Sequence, residues 1–366
     1  MWPNTVLSSG KKSNNMSSFN FDNEIEKHLE VVRKLQKPSG VFTASSHSVQ
    51  TGYDKAWLRD IYFMTLGFLE TGEFDVVQKA GKALLSIFVK HKDKINWAIQ
   101  NKPHATWQYI HARFNPETFE EYWEEWGNSQ NDAVGEVLNL LVELELQGKS
   151  VIETDEEKEM MQMIVDYLVR LEYWHDPDNG IWEEAMEIHA SSIGSCVAAL
   201  RKAKQLPWLN VPNEAVENGE KALRSLLPRE SRTKFADLAL LTLIYPFAVT
   251  TEMETVEILR NVEYHLTRDK GVIRYKLDRY YNNNEDGYSE EAEWCFGLSW
   301  LAIIYAERGE REKAYYYLRK AEKTVTADGL VPELYYSHTD RPNANTPLGW
   351  AESMYVVALK KVRDMA

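Results

Sequence analysis

The sequence predicts an all-α fold: a toroid in which six inner and six outer helices alternate around one axis. Apolar residues recur at helical spacing almost throughout the 366 residues, and strand-like alternation is nearly absent. Long loops rich in aromatic, Asn and acidic residues fall at roughly alternate junctions between helices, with short loops such as 308–309 in between. No Pro/Gly/Ser-rich linker interrupts the chain after residue 40. Residues 21–366 therefore read as one domain behind a flexible polar leader, residues 1–20.

The first helix is predicted over 23–36, where NEIEKHLEVVRKLQ is amphipathic and Asp22 precedes it as a candidate N-cap. Helices follow over 57–70, 74–91, 130–146, 155–173, 189–204, 212–227, 235–245, 252–265, 290–307, 310–324 and 347–362. A weaker pattern covers 104–114, giving about thirteen candidates. A solenoid of helical hairpins is the competing architecture, but no residue pattern repeats at a period of about 34 or 40. In a toroid of alternating helices the long loops gather at one end, and loops on a rigid scaffold carry function.

Composition narrows the function. With 44% hydrophobic residues the chain buries a large core, and its net charge of −14 argues against a nucleic-acid partner, which needs a basic face. The longest apolar run, DLALLTLIYPFAV, is broken by Asp237 and Pro246, so no membrane partner is expected. The N-terminus lacks the apolar stretch of a secretory signal. The two cysteines, Cys196 and Cys295, sit in apolar helical patterns, and the nine histidines show no metal-ligand spacing. These features suit a reducing cytoplasm without a metal or disulfide framework. The 12 Trp and 19 Tyr, many beside acids or Asn in loops, match the apolar faces and hydroxyl edges of sugars.

Five long loops, 39–56, 116–129, 174–188, 270–289 and 328–346, hold the candidate site residues. TGYDKAWLRD offers Tyr53 and Trp57 as an aromatic wall and Arg59–Asp60 as a charged pair for hydroxyls, or alternatively a helix cap with a structural ion pair. EEWGNSQNDAVGE places Trp126, Gln130 and Asp132 at a helix entry, where capping competes with hydroxyl binding. HDPDNGIWEEAMEIHASS begins with a strong turn signal and lacks the spacing of an EF-hand. It presents Glu183 and Glu184 beside Trp182, with Glu187 one helical turn on, and ordinary helix-start charges are the alternative reading. A carboxyl beside an aromatic ring has a raised pKa, which a general acid requires. Arg274, Tyr275, Asp278 and Tyr280 precede a helix that Glu290 and Glu291 are expected to open. Glu333 follows Pro332 outside any helical pattern, next to Tyr335 and Tyr336, and has no capping duty.

In this order the loops resemble glycoside hydrolase family 15, the glucoamylase family of exo-acting α-glucosidases. The resemblance rests on YxxxWxRD at 53–60, WGxxQxD at 126–132, GIWEE at 180–184, RYxxDxY at 274–280, and PE with a PLGWA helix start over 332–351. It implies an (α/α)6 barrel with Glu183 as general acid and Glu333 as general base. It also implies that Arg59 and Asp60 hold the innermost sugar while Tyr53, Trp57, Trp126 and Arg274 line the pocket and Glu184 contacts the next sugar. Gln130, Trp182 and Tyr335 complete the expected substrate-binding set. The family inverts anomeric configuration, which requires the two carboxyls about 6.5–9.5 Å apart, and uses no metal or organic cofactor. The NNNEDGYSEEAEW stretch departs from the glycine-asparagine run usual after RYxxDxY. The outer subsites are therefore not given by the resemblance, and α-1,6 and α-1,4 linkages both stand. The expected partner is a small isomalto- or malto-oligosaccharide. A trehalase-like hydrolase is one alternative. Another is a sugar-binding regulatory barrel, because phosphorylase-kinase regulatory subunits share the fold and several motifs.

Overall fold

The computed structural model describes residues 19–46, 52–283 and 289–365. The predicted leader over 1–20 lies almost wholly outside the described residues, as does part of the 270–289 loop. Twelve α-helices occur among the described residues: α1 (Phe21–Arg33), α2 (Leu58–Thr71), α3 (Phe74–Lys90), α4 (Lys92–Asn101), α5 (Asn131–Leu146), α6 (Asp155–Leu171), α7 (Ala190–Ala203), α8 (Asn213–Leu226), α9 (Glu252–His265), α10 (Phe296–Glu307), α11 (Arg311–Glu322) and α12 (Gly349–Asp364). Short 3-10 segments cover Thr106–Gln108 and Leu238–Leu243.

Contacts between these elements close a ring. Helix α2 packs on α5, α5 on α7, α7 on the Leu238–Leu243 segment, that segment on α10, α10 on α12, and α12 back on α2. A solenoid has two free ends, so this closure decides for the barrel. The outer layer alternates with the ring: α1 lies on α12, α3 on α2 and α5, α6 on α5, α8 on α7, α9 on the Leu238–Leu243 segment, and α11 on α10 and α12. Helix α4 is extra and packs on α6 and α3, which also touch each other.

Burial follows position in the ring. Helix α10 is buried at every residue from Phe296 to Ala306, as an inner helix enclosed on all sides must be. Helix α8 buries only Ala215, Val216, Gly219 and Leu223, the stripe of a helix with one wet face. Inner helices approach closely where side chains are small. A Cβ on Gly135 of α5 would stand 2.6 Å from Ser195 Oγ and 2.9 Å from the Cys196 backbone N of α7. No helix among the described residues is long and apolar enough to cross a membrane.

Four expectations are corrected. The pattern over 104–114 is not an α-helix; the single turn Thr106–Gln108 leads into an extended segment, while the preceding residues form the unanticipated α4. The stretch 235–245 holds a 3-10 segment instead of an α-helix. The helix expected from Glu290 begins at Phe296, because residues 293–294 form a strand. The fourth concerns residues 183–187, which lie in a turned loop before α7 and are not helix-start charges.

Two small antiparallel pairs brace the long-loop end. Strand β1 (Ala56–Trp57) pairs with β2 (Arg113–Phe114), placing Ala56 opposite Phe114. Strand β3 (Glu293–Trp294) pairs with β4 (Leu334–Tyr335), placing Glu293 opposite Tyr335. Strands β1 and β3 lead directly into the N-termini of inner helices α2 and α10, so their loops open over the barrel axis.

Candidate active site

The loop carrying Glu183 is closed by a two-way backbone pair: Asp178 N–H donates to Glu187 O at 2.8 Å and Glu187 N–H to Asp178 O at 2.9 Å. The neighbouring loop anchors it. Asn179 N–H donates to Ser129 O at 2.6 Å, and Asn131 N–H donates to Asp178 Oδ2 at 3.0 Å. Gly180 turns the chain at φ 62°, and its missing side chain makes room, since a Cβ would meet the His189 ring at 2.8 Å. Glu183 itself sits at φ 60°, a left-handed backbone that costs a non-glycine residue roughly 1–2 kcal/mol. Such strain is held by its surroundings and aims a side chain.

Glu183 Oε1 accepts from Arg59 Nη1 at 3.1 Å, and Oε2 accepts from Trp126 Nε1 at 2.9 Å. Burial pushes its pKa up against the opposing pull of Arg59 and Trp126, leaving it above the usual carboxylate range. Arg59 is built into the protein as much as into the cavity. Its Nε donates to Asp132 Oδ2 at 2.7 Å and its Nη2 to Gln130 Oε1 at 2.7 Å.

Glu333 lines the same cavity and is almost fully buried. Its backbone is held on both sides, N–H to Asn345 O at 3.0 Å and C=O from Cys295 N–H at 3.0 Å. Tyr53 hydroxyl donates to Oε1 at 2.6 Å, and the side-chain amides of Asn343 and Asn345 both donate to Oε2, the latter at 2.6 Å. Burial raises the Glu333 pKa while these three donors oppose it.

Glu183, Glu333 and Asp60 line one cavity of about 450 Å³. Tyr53, Trp57, Trp126, Trp182, Glu184 and Arg274 line it too. Phe296 and Trp350 stack in its wall, centroids 4.6 Å apart and nearly parallel. Asp60 is half-buried, and no described side chain hydrogen-bonds its carboxylate. Burial pushes its pKa up to about 7; Glu183 and Glu333 add to the rise and Arg59 opposes it. Glu184 behaves oppositely. Against burial, Arg274 and Lys234 hold its pKa below the usual range, with Arg274 Nη2 at 3.1 Å, Tyr275 hydroxyl at 2.6 Å and Lys234 Nζ at 2.7 Å. Glu187 is spent on Ser231 and Thr233 hydroxyls, away from the cavity.

Ten of the twelve residues expected to be catalytic or substrate-binding therefore line one cavity, the two carboxylates included. Gln130 and Tyr335 do not. Gln130 lies behind Arg59 with its amide nitrogen on Gly127 O, and the Tyr335 hydroxyl points away to Thr324 O at 2.9 Å. Tyr335 follows Glu333 by two on an extended segment, but Thr324 already takes its hydroxyl. Tyr280, named with Arg274 on the fourth loop, also lines the cavity; Asn343, Asn345, Lys234, Trp294, Phe296 and Trp350 were not singled out as site residues. The asparagines read as turn formers in the sequence, and the aromatics read as helical core.

A ring of inner helices under an acidic, aromatic-walled cavity is the architecture of a glycosidase-type barrel. The chain belongs to glycosyl hydrolases family 15, whose model matches residues 29–216, about half its length. Solved structures share the fold. A wild-type glycosidase aligns over 94% of this chain and 97% of its own at TM-score 0.78 and 19% identity. The glucoamylase of Saccharomycopsis fibuligera aligns over 96% of both at TM-score 0.68 and 16% identity. Among curated relatives, a probable phosphorylase b kinase regulatory subunit alpha of Caenorhabditis elegans is 30% identical over 284 residues, 64% of this chain and 23% of its own. The rabbit (Oryctolagus cuniculus) skeletal-muscle isoform is 26% identical over 334 residues, 77% of this chain and 27% of its own. The chain thus spans about a quarter of the length of these two relatives.

Proposed function

We propose that the protein is an inverting, exo-acting α-glucosidase that releases β-glucose from the non-reducing ends of short α-glucans. The observation that carries this reading is the unequal hydrogen bonding of Glu183 and Glu333 in one cavity. An amide nitrogen only donates, so Asn343 and Asn345 occupy both lone pairs of Glu333 Oε2 and favour the ionised form. Oε1 keeps one lone pair beside Tyr53 for the proton of an attacking water. Each oxygen of Glu183 accepts a single hydrogen bond, so either can also carry the proton that a leaving oxygen needs. These are the complementary roles of base and acid in inversion.

Asp60, which lines the cavity and accepts from no described side chain, is the acceptor for hydroxyls of the innermost sugar. Arg59 holds the acid and has one Nη1 hydrogen left for the same sugar. Glu184, fixed by Arg274, Tyr275 and Lys234, accepts from the sugar beyond. The anionic cavity stabilises an oxocarbenium-like transition state more than the neutral ground state.

Glucose release from isomaltose, maltose and trehalose by wild type and by Glu183→Gln and Glu333→Gln tests this reading. Each variant is expected to lose about 10³-fold in kcat, within the range of a single acid or base. Undiminished turnover by Glu333→Gln contradicts the assignment. Similarity to subunits named as regulatory favours a second reading, a barrel that binds sugar without turnover. Wild type that binds these sugars and releases no glucose decides for it.

A further inference from the structure

Beside the active cavity lies a second hollow of about 340 Å³, and Trp126 lines both. Two tryptophans at this hollow are unusually bare for a folded protein: Trp107 is 69% exposed and Trp123 is 95% exposed. Neither ring helps to form the core, so their exposure is not explained by folding.

Two residues lining the hollow, His111 and Asn128, each carry a buried polar atom that has no partner among the described residues. His111 is 2% exposed, and its Nδ1 accepts the Arg113 N–H at 3.1 Å, which leaves the ring proton on Nε2. Burial, with Lys94 and Arg113 adding, pushes the His111 pKa down to about 3, so the ring is neutral. Its Nε2–H has no acceptor among the described residues. Asn128 is 6% exposed, and its Oδ1 has no donor among the described residues. A buried donor and a buried acceptor left open each cost free energy, and a hydroxyl, which both donates and accepts, can serve either.

We propose that this hollow is a second saccharide-binding site, separate from the active cavity and partitioned from it by Trp126, which takes a neutral α-glucan chain. Trp107 and Trp123 stack on the apolar faces of successive glucose rings, and His111 Nε2–H and Asn128 Oδ1 meet their hydroxyls. Glu121, paired with Lys94, edges the same hollow. Lys94 with Glu121, and Glu124 with Lys55 and Arg113, are paired at this hollow, which suits a neutral ligand. The α-glucan identity rests on the exo-glucosidase reading; the saccharide class rests on the hollow alone. Because Trp126 Nε1 also holds Glu183, a chain bound here presses on the partition that carries the acid.

The test uses β-cyclodextrin, a cyclic α-glucan with no chain end to enter an exo-acting cavity, titrated calorimetrically into the full chain. One equivalent is expected to bind. Trp107→Ala/Trp123→Ala is expected to weaken it at least about tenfold, a loss on the scale of 1.4 kcal/mol. His111→Phe is also expected to weaken it, and Glu333→Gln to leave it unchanged. Both tryptophans are exposed, so their removal leaves the fold intact, which circular dichroism checks. Absence of β-cyclodextrin binding, or binding undiminished in the double variant, overturns the proposal. A wild type that binds β-cyclodextrin but releases no glucose refutes the exo-glucosidase reading and leaves this site standing.

Discussion

Glu333 accepts from Tyr53, Asn343 and Asn345, and each donor favours its ionised form. Removing one in Asn345→Ala raises the Glu333 pKa, so the acidic limb of kcat/KM is expected to move to higher pH, with kcat down about tenfold or more. A pH–rate profile checks this, and an unmoved limb separates Asn345 from the base. Asp60 makes a prediction of the opposite kind. Its pKa is raised from 3.8 to about 7 by burial, so between those values the folded state binds more protons than the unfolded one. Stability from this group is therefore present below pH 4 and lost as pH rises towards 7. Asp60→Asn removes that loss. The variant is expected to melt higher than wild type at pH 8, with the gap shrinking by pH 5, while sugar binding collapses. Equal melting differences at both pH values contradict the account. At this scale the sequence showed most of the cavity wall, because Trp, Tyr, Arg and acids at loop positions are chemically conspicuous. It hid Asn343 and Asn345, since an asparagine that orients a base looks the same as one that makes a turn.

The turn over 178–187 depends on Gly180 more than on any cap. Gly180→Ala meets both a positive φ and the His189 ring, and is expected to cost at least about 1–2 kcal/mol of stability. It should also displace Glu183, lowering kcat more than it raises KM. Denaturant melts and steady-state kinetics report the two effects separately. The order and spacing of most helices followed from apolar period. The exceptions have physical reasons. The run LALLTLI is apolar but for Thr242, too uniform for periodicity to distinguish a 3-10 segment from an α-helix. Helix α4 was missed because it follows α3 across the single residue His91, with no glycine or proline to mark the break. At 293–294 and 334–335 the strands are two residues long, too short for alternation to register.

At the scale of the whole molecule, ring closure makes each inner helix a neighbour of two others, so a local clash reaches the cavity from below. Gly135→Val places a branched side chain against Ser195 and the Cys196 backbone at the α5–α7 contact. It is expected to lower stability by about 3 kcal/mol, as overpacking of a tight interface does. Thermal melting checks this. The closed ring also explains why residues 280 positions apart, Tyr53 and Glu333, share a hydrogen bond. Sequence rhythm suggested alternation of inner and outer helices but carried no signal for which helix closes on which. The central claim concerns what the assembled cavity does to an α-glucosidic bond. Proton NMR of the first glucose released from isomaltose or maltose measures this directly. The account predicts β-glucose appearing first and mutarotating to α, with release by Glu333→Gln slowed about 10³-fold. α-Glucose as the first product, or no glucose from wild type on either sugar, contradicts it.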